Sequence, residues 1–221
     1  MDAQGILNFL TQLKQNNHKE WMDAHKEEYQ ACREGYIQFI SKLLKEISKW
    51  DEGLSDLDAK KCIFRINRDI RFSKNKAPYK LNFGASMVQG GKNSGFAGYY
   101  FHVQPGECFL GGGVYRPSAD HLRLIRQEID YNPEDFIKVV EEKQFRALFG
   151  DVWGERLSRP PKGYSKEHPQ LDYLKLKSFV VLHSISDEEL MGPDFLQKAV
   201  GVLKRIKPFN DYLNVALTVE N

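Results

Sequence analysis

At Cys62 the spacing of apolar residues changes from the three-to-four-residue repeat of helices to strict alternation, and this switch limits what the chain can fold into. Before it, Ile6, Phe9, Leu10 and Leu13 share one helical face, and the pair Asn16-Asn17 ends that helix. Asn17 followed by Glu20 resembles a capping box for a second, longer helix, whose stripe Tyr29, Cys32, Tyr36, Phe39, Leu43 and Ile47 runs to about Trp50. After the switch, Cys62, Phe64, Ile66, Ile70 and Phe72 would lie on one side of a strand, with Arg65, Asn67, Asp69, Arg71 and Ser73 on the other. Arg68 falls on the apolar side, which demands either a bulge or a buried partner for its charge.

The alternation continues through Tyr79, Leu81, Phe83, Ala85 and Met87, after a basic loop in which Pro78 cannot donate a ladder hydrogen bond. A flexible GGKNSG connection follows, and then AGYYFHVQ turns through Pro105-Gly106 into ECFLGGGVY, a hairpin signal. Helical spacing resumes near Ser118, and Asn132-Pro133 opens a further helix with the cap and first-turn residues such a start prefers. KSFVVLHSI reads as one more strand, and Phe195, Ala199, Val202 and Ile206 as the face of a last helix interrupted near Pro208. The expected architecture is a single α+β domain over residues 1–221. Residues 1–50 would be helical, 60–116 a β-meander, and 117–221 mainly helical with one further strand. The antiparallel sheet would hold about five strands, with the N- and C-terminal helices packed on one face.

Charge is concentrated in one place. Residues 60–80 carry eight Lys or Arg against Asp69, a local balance of 8 − 1 = +7, whereas the whole chain has a net charge of only +2. No global field of the kind that nucleic-acid binders carry is present, and the basic character is local. The three cysteines are an odd number in apolar contexts, which fits buried thiols in a reducing compartment. The opening MDAQGILNFLTQL has no basic stretch ahead of a continuous apolar block, and no run of about 18 apolar residues follows. The expected location is cytoplasmic, with no membrane association.

On a strand, alternate residues lie about 6.6 Å apart on one face, so Arg65, Asp69 and Arg71 would form a line of alternating charge beside Lys80. Arginine forks grip phosphate and carboxylate with two hydrogen bonds, and lysine supplies a point charge. The candidate ligand-binding residues are therefore Arg65, Arg68, Arg71, Lys76, Tyr79 and Lys80. The competing interpretation is that Asp69 pairs with the arginines and the face is otherwise solvated. Asp69 is a candidate catalytic carboxylate, but arginines beside it lower its pKa and suit it better to orienting them. His102, on one strand face with Tyr100 and Gln104, is the candidate for acid–base work. Ser73 to Lys76 matches an S-x-x-K motif without the helix start that motif needs, and the glycine-rich stretches lack phosphate-loop spacing. The six histidines are scattered without ligand spacing, so neither a metal nor a cofactor is expected.

The stretch RINRDIRFSKNKAPYK is similar to the signature of a widespread bacterial family, found also inside longer fungal proteins, the domain of unknown function family 2461. Its pattern maps onto Arg65, Arg68, Asp69, Arg71, Phe72, Lys76 and Tyr79. The opening FLTQLKQNNHKEW, the AGYYFHVQPGE hairpin, GGGVYRP, and PKGY followed by HP extend the resemblance over nearly the whole chain. It implies a fold and a motif, and no activity. From the residues themselves the expected function is binding, and potentially transformation, of a small anionic ligand bearing phosphate or carboxylate. One alternative is a nucleic-acid-binding module that stacks bases on Tyr79, Tyr99, Tyr100 and Phe101. A structural or protein-interaction domain, docking its basic face on an acidic partner, is the other. The sequence leaves the oligomeric state open.

Overall fold

The computed structural model describes residues 1–218. Helix α1 (Ala3–Gln15) is capped by Asp2, whose carboxylate accepts from the Gly5 amide at 2.9 Å. The long helix expected next is two helices, α2 (Lys19–Ala24) and α3 (Lys26–Ile47), parted at His25. His18, not Asn17, caps α2. Asn17 instead clasps the backbone of Tyr79, donating to its carbonyl and accepting from its amide, each at 3.0 Å. That clasp ties the N-terminal helices to the end of the basic segment. A single turn, α4 (Ala59–Cys62), leads into the segment.

Four antiparallel strands form one sheet in the order of the chain: β1 (Phe83–Met87), β2 (Gly98–Val103), β3 (Cys108–Val114) and β4 (Phe179–Ile185). Between β3 and β4 lie α5 (Ala119–Tyr131), α6 (Pro133–Val140), α7 (Lys143–Phe149) and the turn α8 (Leu171–Leu174). A short α9 (Asp187–Met191) with a capping box at Ser186 and Glu189 precedes α10 (Phe195–Thr218). Helix α10 runs on through Pro208 where an interruption was expected. Its buried stripe of Leu203, Ile206, Phe209 and Leu213 continues across the proline and holds both halves to one core.

One face of the sheet is covered. Phe83, Ala85 and Met87 on β1 share that face with Tyr99, Phe101 and Val103 on β2, all buried. Tyr36 of α3 donates to the Phe101 carbonyl at 2.9 Å, and the Phe101 ring packs against Phe39 and against Phe195 of α10. Burying each such ring contributes on the order of 2–3 kcal/mol. Helix α10 lies so close to β3 that a Cβ on Gly112 would strike the Ile206 side chain. These contacts bring the N- and C-terminal helices onto the same face, as the sequence led us to expect.

The strand expected over residues 62–73 does not form as a ladder. Ile63 bridges Ala85 and Asn67 bridges Tyr79, with hydrogen bonds from Phe64 to Gly84 (2.9 Å), Lys80 to Ile66 (2.8 Å) and Arg68 to Pro78 (2.8 Å). The segment is thus a short, open hairpin laid along the β1 edge, its loop carrying the basic residues. Its burial follows suit: Cys62, Ile63 and Ile66 are buried, Phe64 is 42% exposed and Phe72 is 96% exposed. Alternation had placed Phe64 and Phe72 inward beside Ile66. Beyond Ile66 the apolar side is progressively exposed, with Ile70 half-buried and Phe72 in solvent.

Candidate functional site

The second face of the sheet is left open by the helices. Strand register sets two rows across it: Gly84, His102, Phe109 and Ser184, then Ser86, Tyr100, Gly111 and Leu182. The rings on it are continuous. His102 stacks on Phe109 at 4.6 Å and 12°, Phe109 meets Tyr100 at 5.6 Å, and Tyr100 meets Phe64 at 6.2 Å. Tyr100 lies flat across β1 because residue 84 is glycine; a Cβ there would overlap its hydroxyl. At the far edge Trp153, bridged to Val180, adds another exposed ring.

His102 is held by three neighbours. Its Nδ1 faces the Tyr100 hydroxyl at 3.2 Å and the Asn82 amide nitrogen at 3.4 Å, and its Nε2 faces the Gln104 amide oxygen at 3.4 Å. Those partners fit a neutral ring protonated on Nε2, which donates to Gln104 while Nδ1 accepts from Tyr100. Burial lowers the His102 pKa, and the hydrogen bond to Gln104 offsets part of that shift. Burial also pushes the Tyr100 hydroxyl up to about 12, so it remains a donor at neutral pH.

A pH dependence follows. A histidine whose folded pKa is depressed is protonated more readily in the unfolded chain, so its contribution to stability is present at neutral pH. It is lost as pH falls through the unfolded value of about 6.5 toward the lower folded value. His102→Gln keeps a polar side chain without a titrating one. Melting temperatures measured from pH 7.5 to 5.5 should fall less steeply for this variant than for the parent; parallel curves would show His102 to be no more buried than an exposed histidine.

At the β1 edge of this face, two cations stand against the Phe64 ring, with Arg65 next to it in the chain. The Lys80 ammonium donates to the Arg65 carbonyl at 2.9 Å and stands 5.4 Å from the Phe64 ring. The Lys92 ammonium donates to the Ile63 carbonyl at 2.7 Å and stands 5.0 Å from the same ring. Burial lowers the Lys80 pKa, and repulsion from Arg65 and Lys92 lowers it further. Among the described residues, no carboxylate lies within 4 Å of Arg65, Lys80 or Lys92. Backbone carbonyls and one ring are what hold this positive charge.

The other candidates lie elsewhere. Asp69 and Arg71 form a two-pronged pair, Nε to Oδ1 at 3.0 Å and Nη2 to Oδ2 at 2.7 Å, on the solvent side of the hairpin loop. Hydrogen bonds from Arg71, with the more distant Arg65 charge, hold the Asp69 carboxyl below the usual range, which leaves it a weak base. Arg68, the residue that broke the alternation, folds back into the loop and donates to the Ala77 carbonyl at 2.8 Å and to Ser73 at 3.4 Å. Lys76 closes the loop onto the Ile70 carbonyl at 3.0 Å. Tyr79 is buried in the core beside the N-terminal helices. Of the six ligand candidates, Arg65 and Lys80 border the open face, and of the two catalytic candidates, His102 lies on it. Tyr79, Tyr99 and Phe101, offered as base-stacking rings, are core residues, whereas Tyr100 is on the face.

Sequence reasoning missed Lys92 and Phe109, and it put Phe64 on the buried side of a strand. Lys92 stood in a glycine-rich connection with no pattern of its own, and only the fold carries it to Ile63. The larger cleft, about 500 Å³, lies away from this face, between residues 50–54 and the end of α10. Several of its polar groups are paired, since Tyr99 donates to Asp51 at 2.6 Å, Lys207 to Asp211 at 2.6 Å, and Asn214 clasps the backbone of Ala97, while the buried Trp50 Nε1 in its lining has no hydrogen-bond partner. Size alone does not make it the better site; the cations without counter-charges do. Among the described residues, no group of three or more His, Cys, Asp or Glu could hold a metal ion, and no helix is long and apolar enough to cross a membrane.

The family described as a conserved hypothetical protein (DUF2461) matches residues 5–212. No curated protein and no solved structure matches the chain.

Proposed function

The chain belongs to the DUF2461 family of conserved hypothetical proteins, and from that footing we propose that it binds a small anion at the β1 edge of its open sheet face. Lys80, Lys92 and Arg65 supply the charge. The observation that carries this reading is that the Lys80 and Lys92 ammonium groups stand 5.4 and 5.0 Å from one ring with no carboxylate within 4 Å of either among the described residues. Gathering like charges on a partly buried edge costs free energy, and a phosphate or carboxylate seated among them would relieve it with charge-assisted hydrogen bonds. His102, further along the same face, keeps its ring nitrogens against Tyr100, Asn82 and Gln104.

An anion that binds only the folded state stabilises it by about 2.7 kcal/mol at a hundred times its Kd. For a chain of this length that corresponds to roughly 5–11 °C in melting temperature. Phosphate or sulfate at low ionic strength should therefore raise the melting temperature in a saturable way. A flat response to both ions would defeat the proposal.

The breadth of the ring-lined face favours a second reading, a single strand of nucleic acid laid across the sheet. That reading expects affinity to climb with strand length and to fall steeply with salt.

A further inference from the structure

We infer that the anion taken at this edge carries a flat ring, as a nucleotide does, whether free or within a single strand; this rests on the anion-binding reading above. An edge built for inorganic phosphate alone would need no more than the one ring that steadies the ammonium groups, yet the rings continue inward from it. Phe64 stands 42% exposed between two ammonium groups, 5.4 and 5.0 Å from its centre. Tyr100 lies 6.2 Å further in and Phe109 another 5.6 Å beyond it, so the charge opens directly onto a run of rings. A phosphate held by Lys80 and Lys92 would leave its attached base over Phe64 and Tyr100. Stacking is indifferent to which base is present, because each has a π-face.

The face also offers groups to read a ring edge. Ser86 shares the Tyr100 row and Ser184 the Phe109 row, while Asn82 and Gln104 flank His102. Glycine lets side chains lie close on the sheet, because a Cβ at Gly84 would overlap the Tyr100 hydroxyl and one at Gly111 would come within 2.9 Å of the Leu182 side chain. A ring-bearing ligand thus meets cations at one end and flat apolar surface with polar edges at the other.

Calorimetric titration of the full chain with inorganic phosphate, adenosine 5′-monophosphate and a short oligothymidylate separates the possibilities. The expected result is that the mononucleotide binds about ten-fold or more tighter than phosphate, the effect of stacking one base. Phe64→Ala should erase that preference, read as the ratio of the two affinities, because any loss of the ring's hold on Lys80 and Lys92 falls on both ligands alike. Phe64→Leu, which keeps apolar bulk without a ring, should behave the same way and guards against a folding defect. Equal affinity for phosphate and mononucleotide, or a preference that survives both variants, overturns the inference while leaving the anion reading standing. Binding of neither ligand defeats both. If affinity rises with oligothymidylate length, the ring-bearing anion comes from a strand; if it does not, the free nucleotide is the ligand.

Discussion

Gly113→Ala should lower the melting temperature by on the order of 10 °C, whereas Gly201→Ala should raise it slightly. Gly113 has φ = +107°, a conformation that residues with a Cβ rarely adopt, and the added Cβ would drive into the carbonyl oxygen of Phe179 on the neighbouring strand. Backbone must move, and the β3–β4 pairing at Val180 moves with it. Strain plus a broken ladder costs roughly 3–5 kcal/mol, and each kcal/mol is worth roughly 2–4 °C at this size. Gly201 sits within α10 with nothing inside 4 Å of a new Cβ, so alanine there gains helix propensity of about 0.5–1 kcal/mol. Thermal melts of the two variants check the pair. If Gly113→Ala melts like the parent, the glycine run is not what shapes this part of the sheet.

Lys80→Ala combined with Lys92→Ala should abolish the stabilisation that phosphate confers, and Arg71→Ala and Lys76→Ala should leave it unchanged. Each lysine has a carbonyl and a ring as its neighbours, so each has ammonium hydrogens to offer an anion. A hydrogen bond to a charged group is worth about 1.5–3 kcal/mol, so either single variant should weaken binding by roughly ten- to a hundred-fold. Arg71 is already engaged by Asp69, and Lys76 by the Ile70 carbonyl. Without ligand, Lys92→Ala should change stability little, because the side chain gives up one hydrogen bond to the Ile63 carbonyl and one ring contact at the surface. Melting curves with and without phosphate for the parent and these five variants decide the matter. If the stabilisation vanishes with Arg71→Ala and survives in the double lysine variant, the anion sits on the hairpin loop and not on the sheet.

Much of the fold was written in short-range signals. Pro105-Gly106 marks the β2–β3 turn, Ser118 caps α5, and Asn132-Pro133 begins α6, each because a backbone constraint acts within a few residues. The basic segment was misjudged for the opposite reason. Alternation predicts a strand only if one side has something to be buried against, and here the apolar side runs out into solvent at Phe72. Arg68 carried the warning, since a charged residue on the apolar side of a real strand needs a partner; its partner is the loop's own Ala77 carbonyl. The split at His25 left no trace in the apolar spacing, because Trp21 and His25 stack across it at 4.0 Å.

The candidate site was legible in part. Local charge density pointed to Arg65 and Lys80, and alternation in β2 placed His102 beside Tyr100 and Gln104. Lys92 and Phe109 join them through strand pairing and chain reversal, which no local pattern encodes. Asp69 and Arg71, the most conspicuous charges in the sequence, neutralise each other on the surface.

Where the anion sits is best settled by titrating phosphate at low ionic strength while following the His102 ring and the backbone amides by NMR. The account predicts saturable shifts at Phe64, Lys80, Lys92 and His102, with the amides of the loop around Arg71 undisturbed. Shifts confined to residues 69–77, or none that saturate, would contradict it.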